Sequence, residues 1–456
     1  MGCDVLLVDI LSSMRVATGL IYPSNVVAQV TGYLEQEDIS FEVMFAIVQD
    51  DGQIDIVKNN EVFSEQFDQE ILSLAPQIVA FFPETELIPQ ALLIHERIKT
   101  AFPLIVSCAG TNTAIARPDE YIKLGFDYIC GQDVFISFTR IAMDVLDGKR
   151  PEKKIISIPR QQNHLNDLPF ISKKFFSSVK PRWCFPNGDI LTFGLINDSF
   201  GCTGGCPHCP FSDFWGTDWI AMDAERMFAE MKHQIEFMGV DTFLFAGINF
   251  FPNDPGKTGA CALPHKKALE RMEKLETLID EHGYDVKYMS AMRPDTINYL
   301  ADINPEFLDR FLQRYRVGFI GLESLSETVM RGLNRKTSPD MTRRAVEILD
   351  NKNIMIIASF IVGSLAETHE TLEETFRFIK EELPPTSIPI LNIMTPYPGT
   401  EFYAEMEQKG LLLRKDLHLF NGKNLLFKHP VFQPGELEDL VQKFYTQFFM
   451  QNFDAE

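Results

Sequence analysis

The feature that constrains this chain most is a cluster of three cysteines in a stretch crowded with glycine and proline. Residues 200–214 read FGCTGGCPHCPFSDF, so that Cys202, Cys206 and Cys209 are spaced C-x3-C-x2-C. The density of Gly and Pro predicts a loop, because both residues interrupt helices and strands. The short spacing lets three thiolates converge on one small object, and the glycines let the backbone approach it closely. Thiolates are the usual ligands of iron–sulfur clusters, and the loop therefore predicts such a cluster.

Two other interpretations of the loop stay open at this point, namely a structural zinc site and buried free thiols. A structural zinc site needs a fourth ligand. His208 is available for that role, although it lies between two of the cysteines and would strain the loop. A cubane cluster has four irons, and three protein thiolates leave one of them open.

The cysteine spacing resembles the cluster loop of radical S-adenosylmethionine (SAM) enzymes. The resemblance implies a 4Fe-4S cluster ligated by Cys202, Cys206 and Cys209, with SAM bound to the open iron through its amino and carboxylate groups. It also implies that the reduced cluster cleaves SAM to a 5′-deoxyadenosyl radical, with the electron supplied by a flavodoxin or ferredoxin-type protein. The family normally has an aromatic residue before the third cysteine, and His208 occupies that position here.

Composition limits the partners of this chain of 456 residues. It carries 42 basic and 64 acidic residues, a net charge of −22, which argues against a general nucleic-acid or anionic-membrane surface. The five cysteines outside the loop are scattered and give no disulfide pattern. No apolar run reaches the length of a membrane span, and the first ten residues read as a strand rather than a signal peptide. We therefore expect a cytoplasmic protein without membrane or nucleic-acid partners.

Residues 1–150 alternate strands with helices, which predicts a parallel, doubly wound, Rossmann-like sheet. The predicted helices include Asn25–Gln36 and Val134–Leu146. This order resembles the cobalamin-binding domain that precedes the barrel in one class of radical SAM enzymes. The histidine-bearing D-x-H-x-x-G turn of that domain is absent, because Asp9 is followed by Ile10, Leu11 and Ser12. Two hypotheses remain: cobalamin bound through its tail and ring, or a scaffold that has lost its cofactor.

The rest of the chain divides into three predicted parts. Residues 151–190 combine prolines, polar residues and isolated aromatics, as expected of a linker. Residues 191–410 contain six apolar strands that alternate with helices, which fits a partial (β/α)6 barrel with its active site at the carboxyl ends of the strands. Residues 411–456 end in an amphipathic pattern and form a predicted C-terminal helical extension.

Five residues that follow or belong to the barrel strands are candidates for the SAM site. Glu323, in the sequence GLES, resembles a family residue that faces SAM, and a carboxylate suits either hydroxyls or an ammonium. Arg293 is a candidate for the SAM carboxylate, and Asn249 for a neutral hydrogen bond to the SAM amine. Ser359 belongs to, and Gly363 directly follows, the predicted strand Ile354–Val362, whose counterpart in the family lies along the adenine.

Purely structural roles stay open for Asn249, Arg293 and residues 334–336. Asn249 also suits a simple turn, and Arg293 also suits a salt bridge to Asp295. Residues 334–336 (Asn-Arg-Lys) close the helix after GLES, where a cation suits the helix end.

The resemblance implies an enzyme that abstracts hydrogen from an unactivated C–H bond of a small-molecule or peptide substrate. With cobalamin bound, the expected outcome is C-methylation in natural-product or secondary metabolism. Without cobalamin, the candidates are peptide epimerisation, rearrangement, bond formation or transfer of another SAM group, with the N-terminal domain as a scaffold. A non-catalytic iron–sulfur electron carrier is the third hypothesis.

Overall fold

The structure is a computed structural model that describes most of the chain. The described residues are 2–12, 20–49, 51–64, 66–84, 87–160, 164–185, 189–252, 266–335 and 337–453. They pack as two compact units, residues 1–198 with 226–243 and residues 199–225 with 244–456. This division differs from the predicted boundaries at residues 150, 190 and 410, which stay predictions.

Eighteen strands occur in the described part of the chain. They are β1 (Val5–Ile10), β2 (Leu20–Ile21), β3 (Phe41–Val48), β4 (Ile54–Lys58), β5 (Glu61–Phe63), β6 (Ile78–Phe81), β7 (Val106–Ala109), β8 (Tyr128–Cys130), β9 (Ile155–Ile156), β10 (Arg182–Cys184), β11 (Ile190–Ile196), β12 (Ser199–Phe200), β13 (Ile220–Ala221), β14 (Thr242–Phe245), β15 (Lys287–Met292), β16 (Tyr315–Glu323), β17 (Met355–Val362) and β18 (Ile388–Ile393).

The same residues contain seventeen α-helices and two short 3-10 helices, His164–Asp167 and Leu417–Leu419. The α-helices are α1 (Asn25–Gln36), α2 (Phe67–Leu74), α3 (Ile88–Ala101), α4 (Asn112–Ala116), α5 (Pro118–Lys123), α6 (Val134–Leu146), α7 (Lys173–Ser178), α8 (Pro210–Trp215), α9 (Ala224–Met238), α10 (Lys266–Glu281), α11 (Pro294–Ile303), α12 (Pro305–Arg314), α13 (Glu327–Gly332), α14 (Pro339–Asp350), α15 (His369–Glu381), α16 (Glu401–Gln408) and α17 (Glu436–Phe453).

The first sheet has the strand order β5-β4-β3-β1-β6-β7-β8-β9 and a parallel core. β1 lies between β3 and β6, pairs in parallel with both, and is buried along its whole length. The expected doubly wound α/β fold is confirmed. Helices α1 and α6 have the predicted bounds because a capping side chain starts each of them: the Ser24 hydroxyl accepts from the N–H groups of Val26 and Val27, and Asp133 accepts from Ile136.

A hairpin that the sequence analysis did not anticipate extends the first sheet at one edge. β4 pairs antiparallel with β3, and β5 pairs antiparallel with β4. The turn between β4 and β5 is Asn59-Asn60, and both residues have positive φ angles of 50° and 65°. Asn tolerates this backbone conformation better than most residues, and two-residue turns with positive φ match the twist of hairpin strands.

Asp9 is a buried carboxyl group at the carboxyl end of β1. Its side chain is only 3% exposed, and Oδ2 accepts the N–H of Ser24 at 2.8 Å. Burial raises the pKa of Asp9 from 3.8 to about 8, and repulsion from Glu84 adds to the increase. Because the pKa of the folded state lies above that of the unfolded chain, the folded state binds the proton more tightly between about pH 4 and pH 8.

This shift predicts how stability depends on pH. The contribution of protonated Asp9 is complete below about pH 4 and is lost as the pH rises through about 8. Asp9→Asn keeps an oxygen that accepts the Ser24 N–H but cannot ionise, so we expect it to flatten the free energy of unfolding against pH. The slopes should differ by up to ~1.4 kcal/mol per pH unit in this window. Denaturant unfolding between pH 5 and pH 8 measures this, with the exposed Asp68→Asn as control; equal slopes in wild type and Asp9→Asn would contradict the expectation.

The second large sheet provides the barrel strands. Its order is β18-β17-β16-β15-β14-β11-β10-β2, and β15 to β18 pair in parallel with their neighbours. Helices α11 to α16 alternate with these strands along the chain. The six predicted strands correspond to β11 and β14 to β18, which confirms the expected partial barrel. β10 and β2 continue the sheet beyond β11 with antiparallel pairs.

The C-terminal extension is helical, as predicted, and its helix α17 contacts the edge strand β18. The hydroxyl of Tyr445 accepts the N–H of Leu391 at 2.7 Å, which satisfies one donor of that edge. His429 Nε2 lies 2.6 Å from the carbonyl oxygen of Ser364, in the turn after β17. Among the helices of the described residues, none has the length and apolar character that a membrane span requires.

Candidate active site

The base of the cysteine loop is closed by a small antiparallel ladder. β12 pairs with β13, and the N–H of Cys202 donates to the carbonyl oxygen of Gly216 at 3.1 Å. The rings of Phe200 and Trp215 stack with their centroids 4.5 Å apart. These contacts bring the two ends of the loop together, so that the cysteines lie in a closed turn.

Two glycines show how closely this loop is packed. Gly201 has a φ angle of +80°, and a Cβ at this position would overlap the backbone oxygen of Asp218. A Cβ at Gly204 would lie 3.3 Å from Cys202 Sγ and 3.8 Å from Cys206 Sγ. The sulfurs of Cys202 and Cys206 therefore both lie close to Gly204. The sequence predicted a loop up to Phe214, but helix α8 begins earlier, because proline is favoured in the first turn of a helix.

The side chains of the loop that could hold a metal are the three cysteines and His208. Within the described ranges, no group of three or more His, Cys, Asp and Glu side chains is arranged to hold one metal ion. A structural zinc site needs its ligands to converge on one atom, whereas a cubane offers a different iron to each thiolate. Burial, and then the cation of Arg335, lower the pKa of His208 to about 4, which leaves a neutral imidazole inside the loop.

Arg335 lies beside the cysteine loop, a position that the sequence analysis did not anticipate. Its Nη1 is 3.8 Å from Cys206 Sγ, and its Nη2 is 2.9 Å from Oε1 of Glu323. Nη2 also lies 3.5 Å from the carbonyl oxygen of Gly321. Asn334, with a φ angle of +55°, turns the chain after α13, so these residues close the helix as the sequence indicated, and the Arg335 side chain also reaches the loop. Glu323 is therefore connected to the cluster loop through one guanidinium.

Arg293 approaches the loop from a second side. Its Nε and Nη2 donate to the two carboxylate oxygens of Asp295 at 2.9 and 2.6 Å. The salt bridge that the sequence left open as an alternative is thus present. The remaining nitrogen, Nη1, is 3.5 Å from the position that a Cβ at Gly204 would occupy, so it lies close to the cysteine loop. Arg293 is therefore held by one acid and still presents a nitrogen to the loop.

Asn249 is a buried amide whose side chain has no protein partner in the described residues. It is 3% exposed, and neither Oδ1 nor Nδ2 makes a hydrogen bond. A buried polar group without a partner costs roughly 1–3 kcal/mol. A simple turn-forming Asn would spend its side chain on the neighbouring backbone, so this geometry favours the ligand-contact interpretation.

Ser359, on β17, and Gly363, directly after that strand, have different surroundings. Ser359 is half-buried, and its hydroxyl accepts from Nδ2 of Asn392 on β18 at 3.1 Å. In the sheet register it lies opposite Gly321 of β16. Gly363 has a φ angle of +77°, and a Cβ there would overlap the side chain of Leu437. The close approach at Gly363 is thus made by helix α17.

The structure brings only some of the predicted residues together. The Arg335 guanidinium connects Cys206 with Glu323. The sulfurs of Cys202 and Cys206 and the guanidinium of Arg293 lie close to Gly204. The described contacts do not connect Asn249, Ser359 or Gly363 with the cysteines. The sequence analysis missed Arg335 and Asn392. A polar residue within the apolar run IPILNIM was the one local signal for Asn392.

The first unit offers a separate test of the cobalamin hypothesis. Leu11, which occupies the place of the histidine in the D-x-H-x-x-G turn, is buried and cannot ligate a metal. At the end of β7, a Cβ at Gly110 would lie 2.6 Å from Val134 Cγ2 and 2.8 Å from Phe82 Cε1. This glycine is therefore explained by internal packing. The residues at these positions do not fit a cobalamin ligated by a histidine of this turn.

Comparisons with known proteins agree with this geometry. Residues 196–379 match the radical SAM superfamily model. The chain is 24% identical over 251 residues to the bacteriochlorophyllide d C-8(2)-methyltransferase of Chlorobaculum tepidum, covering 55% of this chain and 52% of the relative. It is 22% identical over 458 residues to the anaerobic magnesium-protoporphyrin IX monomethyl ester cyclase of Rubrivivax gelatinosus, covering 94% and 74%. The chain thus spans about half the length of that methyltransferase.

A solved structure covers both units. The cobalamin-dependent SAM radical enzyme OxsB, with aqua-cobalamin and SAM bound, superposes with a TM-score of 0.70 and 14% sequence identity. The match covers 98% of this chain and 67% of OxsB. Residues 196–379 are therefore a radical SAM domain, and the fold of the chain resembles that of OxsB.

Proposed function

We propose that the chain holds a 4Fe-4S cluster on Cys202, Cys206 and Cys209 and uses it to abstract hydrogen from an unactivated C–H bond. The observation that carries the proposal is the convergence of the Cys202 and Cys206 sulfurs and the Arg293 guanidinium on Gly204. Bound there by Cys202, Cys206 and Cys209, the cluster would supply the electron for cleavage of SAM to methionine and a 5′-deoxyadenosyl radical. The hydrogen atom of the broken C–H bond then becomes part of 5′-deoxyadenosine.

The polar side chains of the site would orient SAM. Nη1 of Arg293 suits the SAM carboxylate, because a guanidinium forms strong hydrogen bonds with carboxylates. The amide of Asn249 would gain the hydrogen-bond partner that the described residues do not provide. Glu323 offers a carboxylate for the ribose hydroxyls or the ammonium group. Half-buried Ser359 and Asn392 add further hydrogen-bonding groups on adjacent strands for SAM or the substrate.

Cobalamin-dependent C-methylation is the outcome that we propose for the reaction. Support comes from the fold shared with OxsB over both units and from the methyltransferase among the sequence relatives. Bound cobalamin would supply the methyl group. We further propose a small-molecule or peptide substrate of natural-product or secondary metabolism, and a flavodoxin or ferredoxin-type electron donor.

A second candidate is radical SAM chemistry without cobalamin, with the first unit as a scaffold. Buried Leu11 in the place of the histidine favours it, because no ligand for cobalt comes from this turn. The two candidates predict different products from SAM, and the experiment below separates them.

Replacing Asn249 tests the proposed SAM contact. Since no described residue hydrogen-bonds to its amide, Asn249→Leu removes no hydrogen bond of the described residues and should leave the melting temperature unchanged or raise it. We expect SAM to bind roughly tenfold more weakly, the equivalent of about 1.4 kcal/mol, when one hydrogen-bonding group is lost. Equilibrium dialysis with labelled SAM measures the affinity, and Asn351→Leu, an exposed position at the C-terminal end of α14, is the control. Unchanged SAM affinity would contradict the contact.

The proposed reaction is tested by anaerobic reconstitution with iron and sulfide, with and without cobalamin. A methyltransferase of this class should retain cobalamin through gel filtration and form S-adenosylhomocysteine only in its presence. If 5′-deoxyadenosine forms but no cobalamin is retained, the methylation proposal is wrong and the cobalamin-independent candidate replaces it. If neither product forms, the loop is a structural or electron-transfer centre.

A further inference from the structure

Arg335 is shared between an acid of the SAM site and a cysteine of the cluster loop. Its Nη2 is 2.9 Å from Oε1 of Glu323 and its Nη1 is 3.8 Å from Cys206 Sγ. The side chains of Arg335 and Glu323 are 10% and 12% exposed. Nε of Arg335 is buried and makes no hydrogen bond in the described residues. The cation is thus nearly sequestered from solvent, and its charge acts on the loop in a medium of low dielectric constant.

The local backbone fixes this position from both sides. After α13, Asn334 adopts a left-handed conformation, and the N–H of Arg335 donates to the carbonyl oxygen of Met330 at 2.8 Å. This is the hydrogen bond of a Schellman C-cap, and it directs the next side chain away from the helix axis. Glu323 is also left-handed, with a φ angle of +64°, at a register shift that ends the pairing of β16 with β17.

A glycine leaves room for the ion pair. A Cβ at Gly321 would lie 2.8 Å from Glu323 Oε1 and 3.5 Å from Arg335 Nη2. Burial alone favours a neutral guanidine, but the Glu323 carboxylate and the Cys206 sulfur raise the pKa of Arg335 above its usual value. The side chain is therefore a permanent cation beside the thiolate.

A cation at this place has a defined effect on an iron–sulfur cluster. Reduction adds one electron and no proton, so the reduced cluster carries one more negative charge than the oxidised cluster. A fixed positive charge stabilises the reduced form more, and hydrogen bonds to the sulfurs act in the same direction. The Glu323 carboxylate acts in the opposite direction and also holds the guanidinium in place.

We propose that Arg335 sets the reduction potential of the cluster by donating a charge-assisted hydrogen bond to the Cys206 thiolate, with Glu323 as the acid that positions it. The proposal rests on the cluster of the proposed function. Arg335 would act on the cluster through Cys206 and would affect the step in which the cluster accepts one electron from a low-potential donor.

The test is a redox titration of the reconstituted full chain with dithionite, followed by electron paramagnetic resonance of the reduced cluster. Arg335→Gln should shift the midpoint potential to a more negative value, and Arg335→Lys, which keeps the charge, should shift it less. Arg331→Gln is the matched control, because Arg331 is 78% exposed on the neighbouring helix α13. Iron and sulfide content is determined for every sample.

In Arg335→Gln the midpoint potential changes for two reasons, the lost hydrogen bond to Cys206 and the unpaired charge of Glu323. A double-mutant cycle separates these two contributions. Glu323→Gln should raise the midpoint potential, and adding Arg335→Gln to it should lower the potential again. If Arg335→Gln does not assemble a cluster, the comparison of Arg335→Lys with Arg331→Gln decides. Equal potentials in the control and in the Arg335 variants, with full iron content, would overturn the proposal while leaving the cluster assignment intact. A wild-type chain that assembles no cluster would instead contradict the proposed function.

Discussion

Replacement of Cys202, Cys206 or Cys209 by alanine is expected to abolish SAM cleavage. Each thiolate is assigned to a different iron, so each substitution removes one of the three protein bonds that hold the cluster. The iron content after reconstitution should fall well below that of the wild type, and 5′-deoxyadenosine should fall to the level of the blank without enzyme. Iron analysis, visible absorption and mass spectrometry of the nucleoside measure these quantities.

A free cysteine outside the loop provides the control for these substitutions. Cys184, on β10, is half-buried and forms no disulfide, and Cys184→Ala should keep both the cluster and the activity. Full activity with an intact cluster in any one of the three loop variants would show that the ligand assignment is wrong at that position.

Gly201→Ala is expected to have the second largest effect, because it combines backbone strain with a steric overlap. The φ angle of +80° costs a residue with a side chain roughly 1–2 kcal/mol. The added Cβ would also overlap the backbone oxygen of Asp218, which cannot rotate away as a side chain would. The ladder of β12 and β13 would have to open next to Cys202. We expect a lower melting temperature and a large loss of bound iron.

Gly205→Ala separates the two causes, since Gly205 has a φ angle of +55° and no atom lies within 4 Å of its Cβ position. It carries the strain without the overlap, so its melting temperature and iron content should stay closer to the wild type. If the two variants lose the same amount of iron, the packing of Asp218 against the loop is not what requires glycine at position 201.

The sequence predicted the helices and strands for which the apolar pattern and the residues that begin or end the element indicate the same structure. Helices α1 and α6 begin at capping side chains and have the bounds that the sequence indicates. The six barrel strands were found because each is an apolar run bounded by residues that favour turns. Shorter elements were missed, since the hairpin of β4 and β5 depends on the turn at Asn59-Asn60, and β12 and β13 have two residues each.

The sequence predicted the part of the site whose functional residues lie within one short segment. The three cysteines share a loop of eight residues, whereas Arg335 lies 129 positions from Cys206 in the chain. Their contact depends on the C-cap of α13 and on the register of β16, which a single sequence does not specify. The same reason explains Asn392, which meets Ser359 only through the pairing of β17 with β18.

The most direct test of the assigned active site is the yield of 5′-deoxyadenosine from SAM by the anaerobically reconstituted wild-type chain after reduction. A protein that cleaves SAM at a cluster on Cys202, Cys206 and Cys209 should form it in an amount that depends on the bound iron, and the Cys206→Ala variant should form none. A fully loaded and reduced wild-type chain that forms no 5′-deoxyadenosine, or a Cys206→Ala variant that forms as much as the wild type, would contradict the assignment.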